Sequence, residues 1–380
     1  MPSVGLAGVF DTFGVAYLAN HALPRGAAKV WRAIVACRTP ALGGYVESCA
    51  HCGRTHVVYH SCRNRHCPTC QTRAKEAWLA ARQRELLPVP YFHLVFTLPH
   101  TLNPLIAAVP RRIYELLFAT VSATLNEFAQ SPRHLGGQPA FTLVLHTWKQ
   151  DLGRHVHVHA LVAGGALAAD GRWRHPKKGF LFPVRALSKV FRGKFVAALE
   201  ENRKAGGFPE AFNWPTRKRA LFAQDWVVYA KQPLGGPAAV LDYLGRYTHR
   251  VAISNERIVG IADGLVTFKV RPGSDGKKRQ VRLPGGEFID RFLLHVLPRG
   301  FKRIRHYGLL SPARKKSGLA AARTALNVPP PDPVLIESVA DFLRRVGRLA
   351  SLNCPQCGGR LCFSAAIPPL REPIQARGPP

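Results

Sequence analysis

The stretch Asp151-Leu-Gly-Arg-His155-Val-His157-Val-His159-Ala-Leu-Val162 alternates imidazoles with aliphatic side chains. A period of two is that of a β-strand, so His155, His157 and His159 share one face and Val156, Val158, Ala160 and Val162 the other. Just upstream, Phe141 to Trp148 is a second apolar run that carries His146, and the short polar turn Lys149-Gln-Asp-Leu-Gly-Arg154 joins the two. An antiparallel hairpin follows. If Trp148 faces His155, then His146 lies opposite His157, Leu145 opposite Val158, Leu143 opposite Ala160 and Phe141 opposite Val162. Directly opposed Cβ atoms are about 4.5–5.5 Å apart, close enough to share an ion, and a one-residue slip would scatter the imidazoles. We expect His146, His157 and His159 to hold a divalent metal, with His155 at the rim. A lone histidine would more simply be satisfied by its neighbours, but four within fourteen residues, grouped by one register, favour metal.

About 90 residues further on, Tyr243-Leu-Gly-Arg-Tyr247 places two phenols four apart, on one face if the segment is helical. Spacing alone favours a core-facing stripe of Val240, Tyr243, Leu244 and Tyr247. Arg246, His249 and Arg250 make the surroundings hospitable to phosphate. A phenol with a pKa near 10 becomes a useful nucleophile beside a cation that stabilises phenolate.

Composition narrows the partner. Lys and Arg total 54 against 22 Asp and Glu, a net charge of +32. Soluble surfaces need only about 2–8 charges of either sign, so this excess points to a polyanion. Hydrophobic content of 47% excludes global disorder. No apolar run approaches the ~18 residues of a membrane span, and the first twenty residues lack the basic start of a secretory signal. A cytoplasmic protein is expected, and nine cysteines in that compartment suggest metal ligands rather than disulfides.

Cys49-Ala-His-Cys52 and Cys67-Pro-Thr-Cys70 are two C-x2-C knuckles with 14 residues between them. Together they are expected to form one four-thiolate structural zinc site. Cys62-Arg-Asn-Arg-His66 lies between the knuckles, and Cys62 and His66 offer further ligands, in place of a knuckle residue or with Cys37 at a second ion. Cys354-Pro-Gln-Cys357 is half a zinc ribbon with no second pair after it, borrowing ligands elsewhere or bearing none. Arg63 and Arg65 make the cysteine module positive and suited to DNA.

The expected class is α+β. Residues 1–90 are read as a helical and zinc-binding domain, and 91–275 as a mixed domain with a central antiparallel sheet flanked by helices. Residues 276–328 form a basic extension, in which 291–316 hold eight Lys or Arg and no acid, among them Lys302, Arg303 and Arg305. Residues 329–380 are a linker, a small helix, a partial zinc knuckle and a frayed tail. Residues 104–129 read as one helical stretch, and 266–270 with 280–283 as a hairpin.

An ordered set of motifs now resembles a known family. It comprises Cys37-Arg-Thr-Pro-Ala-Leu-Gly-Gly, Ser61-Cys-Arg-Asn-Arg-His-Cys-Pro-Thr-Cys-Gln71, Phe92-His-Leu-Val-Phe-Thr-Leu-Pro99, Leu145-His-Thr-Trp148 and the histidine strand. Tyr243-Leu-Gly-Arg-Tyr-Thr-His-Arg-Val-Ala-Ile-Ser-Asn255 and His295-Val-Leu-Pro-Arg-Gly-Phe-Lys-Arg-Ile-Arg-His-Tyr-Gly308 complete it. Over nearly its whole length the chain resembles the two-tyrosine, HUH-type rolling-circle transposases of bacterial insertion sequences. The resemblance implies an N-terminal zinc-binding domain and a nuclease domain whose sheet carries His157 and His159, with the tyrosines on an adjacent helix. It also implies a catalytic Mg2+ or Mn2+ and nicking of single-stranded DNA at the element's ends. Tyr243 or Tyr247 would take a 5′-phosphate and leave a free 3′-OH, and the other would serve transfer to target DNA. Arg63, Arg65, Arg246, Arg250, Lys302, Arg303 and Arg305 are the expected DNA contacts, and a nucleoid-associated location follows. Val156 stands where the family often has proline between the histidines, and His146 as third ligand leans on a looser similarity to conjugative relaxases. Two other readings compete: a plasmid or phage relaxase or replication initiator with the same chemistry, and a non-catalytic zinc-dependent DNA-binding protein.

Overall fold

A computed structural model describes residues 5–177, 180–209, 214–230, 239–240, 245, 252–270, 279–331, 338–345 and 352–370. Its elements begin with α1 (Leu6–Asn20), α2 (Arg25–Val35), β1 (Gly44–Cys49), β2 (Thr55–Tyr59), α3 (Gln71–Gln83) and β3 (Tyr91–Thr97). There follow α4 (Asn103–Ala108), α5 (Pro110–Gln130), β4 (Gln138–Trp148), β5 (Arg154–Leu167), β6 (Trp173–Arg174), α6 (Val184–Lys204), α7 (Trp214–Ala223) and β7 (Val228–Ala230). The C-terminal part holds β8 (Ile258–Ala262), β9 (Leu265–Val270), β10 (Arg279–Pro284), α8 (Gly285–Leu293), β11 (Ile304–Gly308), α9 (Lys315–Ala325), α10 (Val339–Arg345) and β12 (Leu361–Ile367).

The main sheet has the order β11-β4-β5-β3-β7, antiparallel throughout, with β6 added to the far end of β5. Its central strand is the histidine strand. Val156, Val158, Ala160 and Val162 point into a core closed by Phe118 and Leu117 of α5 and by Phe191 and Phe195 of α6. Burying each of these large side chains stabilises the fold by roughly 1.5–3 kcal/mol. That driving force fixes the register, since the imidazoles can only occupy the opposite face. The expected helix over 104–129 is two helices, because proline at the start of α5 can open a helix but not continue α4.

The β4–β5 register is the expected one from Phe141↔Val162 to His146↔His157, but Trp148 pairs with Arg154, not His155. The irregularity lies in the turn. Leu152 is fully buried at φ +65, where a branched residue is strained, and its carbonyl accepts a hydrogen bond of 2.9 Å from His295 Nε2. Holding that residue in place displaces the first pair of the hairpin.

Two other boundaries move. The basic segment after 276 is no extension: Ile304–Gly308 is an edge strand of the main sheet, paired with Ala140–Val144. Nor do the N-terminal helices form a core of their own. Phe10 of α1 stacks on Trp31 of α2 at 4.3 Å and meets Phe292 of α8 edge-on at 5.6 Å, over a second sheet β10-β9-β8. Two short helices cannot bury an apolar face alone, so residues 252–293 complete it. The expected β9–β10 hairpin is present, with β8 as an unforeseen third strand. A third sheet, β12-β1-β2, joins the two ends of the chain. Among the described residues no helix is long and apolar enough to cross a membrane.

Candidate metal centre and thiolate clusters

The histidines lie on the face of β5 opposite the core. His146 of β4 faces His157 directly, His159 lies two residues along on the same face, and the three can offer ligand atoms all within 4.8 Å of one another. His157 Nε2 and His159 Nε2 are 3.1 Å apart. Because a carbonyl can only accept, His157 donates Nδ1–H to the His155 carbonyl at 3.0 Å, which leaves its Nε2 lone pair free. Burial, with the adjacent His155, lowers the His157 pKa to about 4, so the ring is neutral near pH 7. His146 stacks on Trp148 with ring centroids 4.7 Å apart. His155 lies outside the trio, its Nδ1 3.1 Å from His100 Nε2.

One residue escaped the sequence reading. His93 on β3 is buried, and its Nε2 lies 2.9 Å from His159 Nδ1. The signal was present, since Phe92, Leu94 and Phe96 alternate with His93, Val95 and Thr97. Nothing local said that β3 would lie beside β5.

Four further histidine or arginine assignments change. His66 is not placed as a ligand: its Nε2 accepts the Leu297 backbone N–H at 3.2 Å, and burial lowers its pKa to about 3. Arg65 is no open DNA contact, because its guanidinium donates to the carbonyls of Phe301 and Pro298. Burial and the neighbouring Arg65 lower the Arg303 pKa to about 10, and its side chain lines the closed space beside Trp148, His66 and His295. Arg305 lies over the Phe118 and Phe301 rings, 4.3 and 4.9 Å from their centroids. Arg63 and Lys302 are exposed. Tyr243, Tyr247, Arg246 and Arg250 fall outside the described residues. Val240 and Gly245, which bracket Tyr243 in sequence, are described and helical. Val240 is fully buried in an apolar cluster that also holds Leu161 and Ala163 of β5, and Gly245 abuts Lys75 and Leu79 of α3.

The cysteines do not gather as the knuckles suggested. Cys67 and Cys70 come together with Cys37 and Cys62, and Cys49 and Cys52 with Cys354 and Cys357. The expected Cys49/Cys52/Cys67/Cys70 set is therefore replaced by two sets, and the isolated C-terminal knuckle finds its second pair at the other end of the chain. The physical reason is the β1–β2 hairpin. It carries the first knuckle at its tip and the second beyond its base, while β12 delivers Cys354 and Cys357 to that tip. Within the first set, Cys37 Sγ is 3.4 Å and Cys62 Sγ 3.6 Å from Cys70 Sγ. Backbone N–H groups of Cys62 and Asn64 point at Cys37 and Cys62 sulfurs, the pattern that favours thiolate. The chemistry of this donor set is that of structural zinc.

Comparison with known proteins places these features in context. Residues 9–98 match a family model described as a transposase zinc-binding domain, and residues 140–317 one described as a putative transposase. The chain is 43% identical over 364 residues to the putative transposase y4qJ of Sinorhizobium fredii (strain NBRC 101917 / NGR234), across 93% of this chain and 92% of that one. It is 26% identical over 345 residues to the transposase for insertion sequence element IS801 of Pseudomonas savastanoi pv. phaseolicola, across 88% and 82%. A solved structure, the conjugative relaxase TrwC in complex with mutant OriT DNA, aligns over 29% of this chain and 44% of its own at 20% identity and a TM-score of 0.24. That likeness is too slight to argue from.

Proposed function

Because the chain belongs to the zinc-binding, IS91-type transposases of bacterial insertion sequences, we propose that it nicks single-stranded DNA at the element's ends through a tyrosine nucleophile. The observation that carries this reading is the imidazole trio, with two Nε2 atoms 3.1 Å apart. Nitrogens bound to one ion at about 2.0–2.1 Å sit at about that separation. In the neutral tautomer that presents Nε2 to an ion, His159 donates Nδ1–H to His93, as His157 does to the His155 carbonyl. Ligating histidines are commonly held this way. The residues thus fit a divalent cation, and imidazole favours Mn2+ over the oxygen-seeking Mg2+. Bound there, such a cation supplies electrostatic stabilisation to a phosphate undergoing attack.

The chain's own groups do the rest. The oxygen of Tyr243 or Tyr247 attacks the scissile phosphorus, the P–O3′ bond breaks, and the 3′-oxygen leaves as a free 3′-OH. The 5′-phosphate stays esterified to the tyrosine. The other tyrosine serves the second transfer, at the target. Val240, three residues before Tyr243, shares an apolar cluster with Leu161 and Ala163 of the histidine strand, which supports this reading. The net charge of +32 and the exposed Arg63 and Lys302 support backbone contact with DNA.

The test incubates full-length protein with labelled single-stranded DNA from the element's end and Mn2+, followed by a denaturing gel. Wild type gives a covalent adduct, and the Tyr243→Phe/Tyr247→Phe variant gives none. An adduct undiminished in that variant overturns the reading, and binding without cleavage in wild type favours a non-catalytic DNA-binding protein.

A further inference from the structure

The second cysteine set is split by the matched segments: Cys49 and Cys52 fall within residues 9–98, whereas Cys354 and Cys357 lie beyond the segment that ends at residue 317. Its two pairs are 302 to 308 residues apart in sequence, yet Cys49 Sγ lies 3.4 Å from Cys357 Sγ and Cys52 Sγ 3.8 Å from Cys354 Sγ. Sulfurs at the corners of a tetrahedron with Zn–S near 2.3 Å are about 3.8 Å apart. We propose that Cys49, Cys52, Cys354 and Cys357 bind a second structural zinc ion, which clasps the C-terminal segment onto the N-terminal module.

Several independent features of the surroundings are built for it. Strand β12 pairs with β1 from Gly44↔Ile367 to Cys49↔Leu361, so each knuckle arrives at the same end of a shared sheet. The backbone N–H groups of His51 and Cys52 point at Cys49 Sγ from 3.4 and 3.5 Å, as they do around a knuckle-bound ion. His56 Nε2 is 3.7 Å from Cys354 Sγ, a neighbour placed to steady a thiolate from outside the ligand set. Backbone space is also reserved. A Cβ on Gly359 would stand 3.0 Å from Cys49 Sγ and 2.7 Å from the His51 side chain. A Cβ on Gly43, at φ +65, would strike the Ile367 carbonyl at 2.5 Å. The ribbon is therefore composite: neither end of the chain holds a complete ligand set.

Cys52, Cys357 and Cys362 are all exposed, so burial shields none of them from alkylation. In full-length wild type treated with iodoacetamide, we expect Cys52 and Cys357 to be modified at least tenfold more slowly than Cys362. Chelation should abolish the difference. Equal rates before chelation overturn the proposal. Zinc content provides the second measurement, made in the His157→Ala/His159→Ala background so that the histidine centre does not contribute. Cys354→Ser/Cys357→Ser should lose one equivalent, Cys49→Ser/Cys52→Ser the same one, and the fourfold variant no more than either. Cys362→Ser should lose none. Two equivalents lost in the fourfold variant, or none in either pair, would refute a shared ion.

Discussion

The histidine centre and the cysteine ribbons are both ligand clusters, but they are assembled at opposite ranges. His146, His157 and His159 come from two strands joined by a short turn. Cys49 ends β1 and Cys354 lies just ahead of β12, near opposite ends of the chain. In the first case the core on one face of β5 sets the geometry and the ligands follow. In the second, little apolar surface is available, and the ligands themselves must hold the strands. The lesson is that a site built on a buried sheet is preorganised by packing, whereas a ribbon on small exposed strands depends on its ion.

That contrast is breakable. The largest effect should come from Cys49→Ser with Cys52→Ser. Without that ion the β12-β1-β2 ribbon should lose at least about 5 kcal/mol of stability, seen as a lower melting temperature and loss of one zinc. An unchanged melting temperature would mean that packing holds the ribbon too. Next, His157→Ala with His159→Ala should cut adduct formation by about a thousandfold or more, some 4 kcal/mol of barrier, with thiolate-bound zinc retained. A melting temperature that falls as far as in the cysteine variant would erase the distinction between the two sites.

Acid should act on the sheet side through His295. Its pKa is lowered to about 4, by burial first and then by Arg154. Its Nε2–H goes to Leu152 and its Nδ1 accepts from Thr147. The folded state therefore resists a proton that the unfolded chain accepts near 6.5. Stability is fully present above about pH 6.5 and declines as pH falls toward 4, by roughly 3 kcal/mol for this one group. Chemical denaturation at stepped pH measures it, and His295→Gln should flatten the slope. His93→Ala should weaken metal binding at the trio by about 10–100-fold, with partial recovery in His93→Gln, as read by Mn2+ titration. Unaltered affinity would make His93 a mere packing residue. The smallest effect belongs to Arg305→Ala, at about 1 kcal/mol from two lost ring faces, with little change in the salt dependence of DNA binding. A clear drop in that salt dependence would return Arg305 to the DNA contacts.

Legibility in the sequence followed the same division. The period of two around His157, the short turn and the aliphatic opposite face were enough to pair β4 with β5, because each was a local signal with one burial-consistent solution. The Trp148 pairing failed only where the buried Leu152 and distant His295 reshape the turn. The cysteine sets failed for a different reason. Adjacent knuckles suggest a shared ion, and spacing carries no information about a strand that returns from residue 361. Charge and motif point Arg65, Arg303 and Arg305 toward DNA, while the fold turns them onto carbonyls, into a closed space and over aromatic rings.

The sequence by itself determined the antiparallel histidine hairpin, the α+β class, the strongly basic character and the family to which the chain belongs. All rest on periodicity, composition or ordered motifs, which need no knowledge of distant neighbours. Only the tertiary structure decided that His93 supports His159, that Cys37 completes one cluster and Cys354 another, and that the basic segment becomes an edge strand. Those outcomes depend on which strands meet across hundreds of residues. That choice is made by burying the faces of the whole sheet and helices together, which no local pattern encodes.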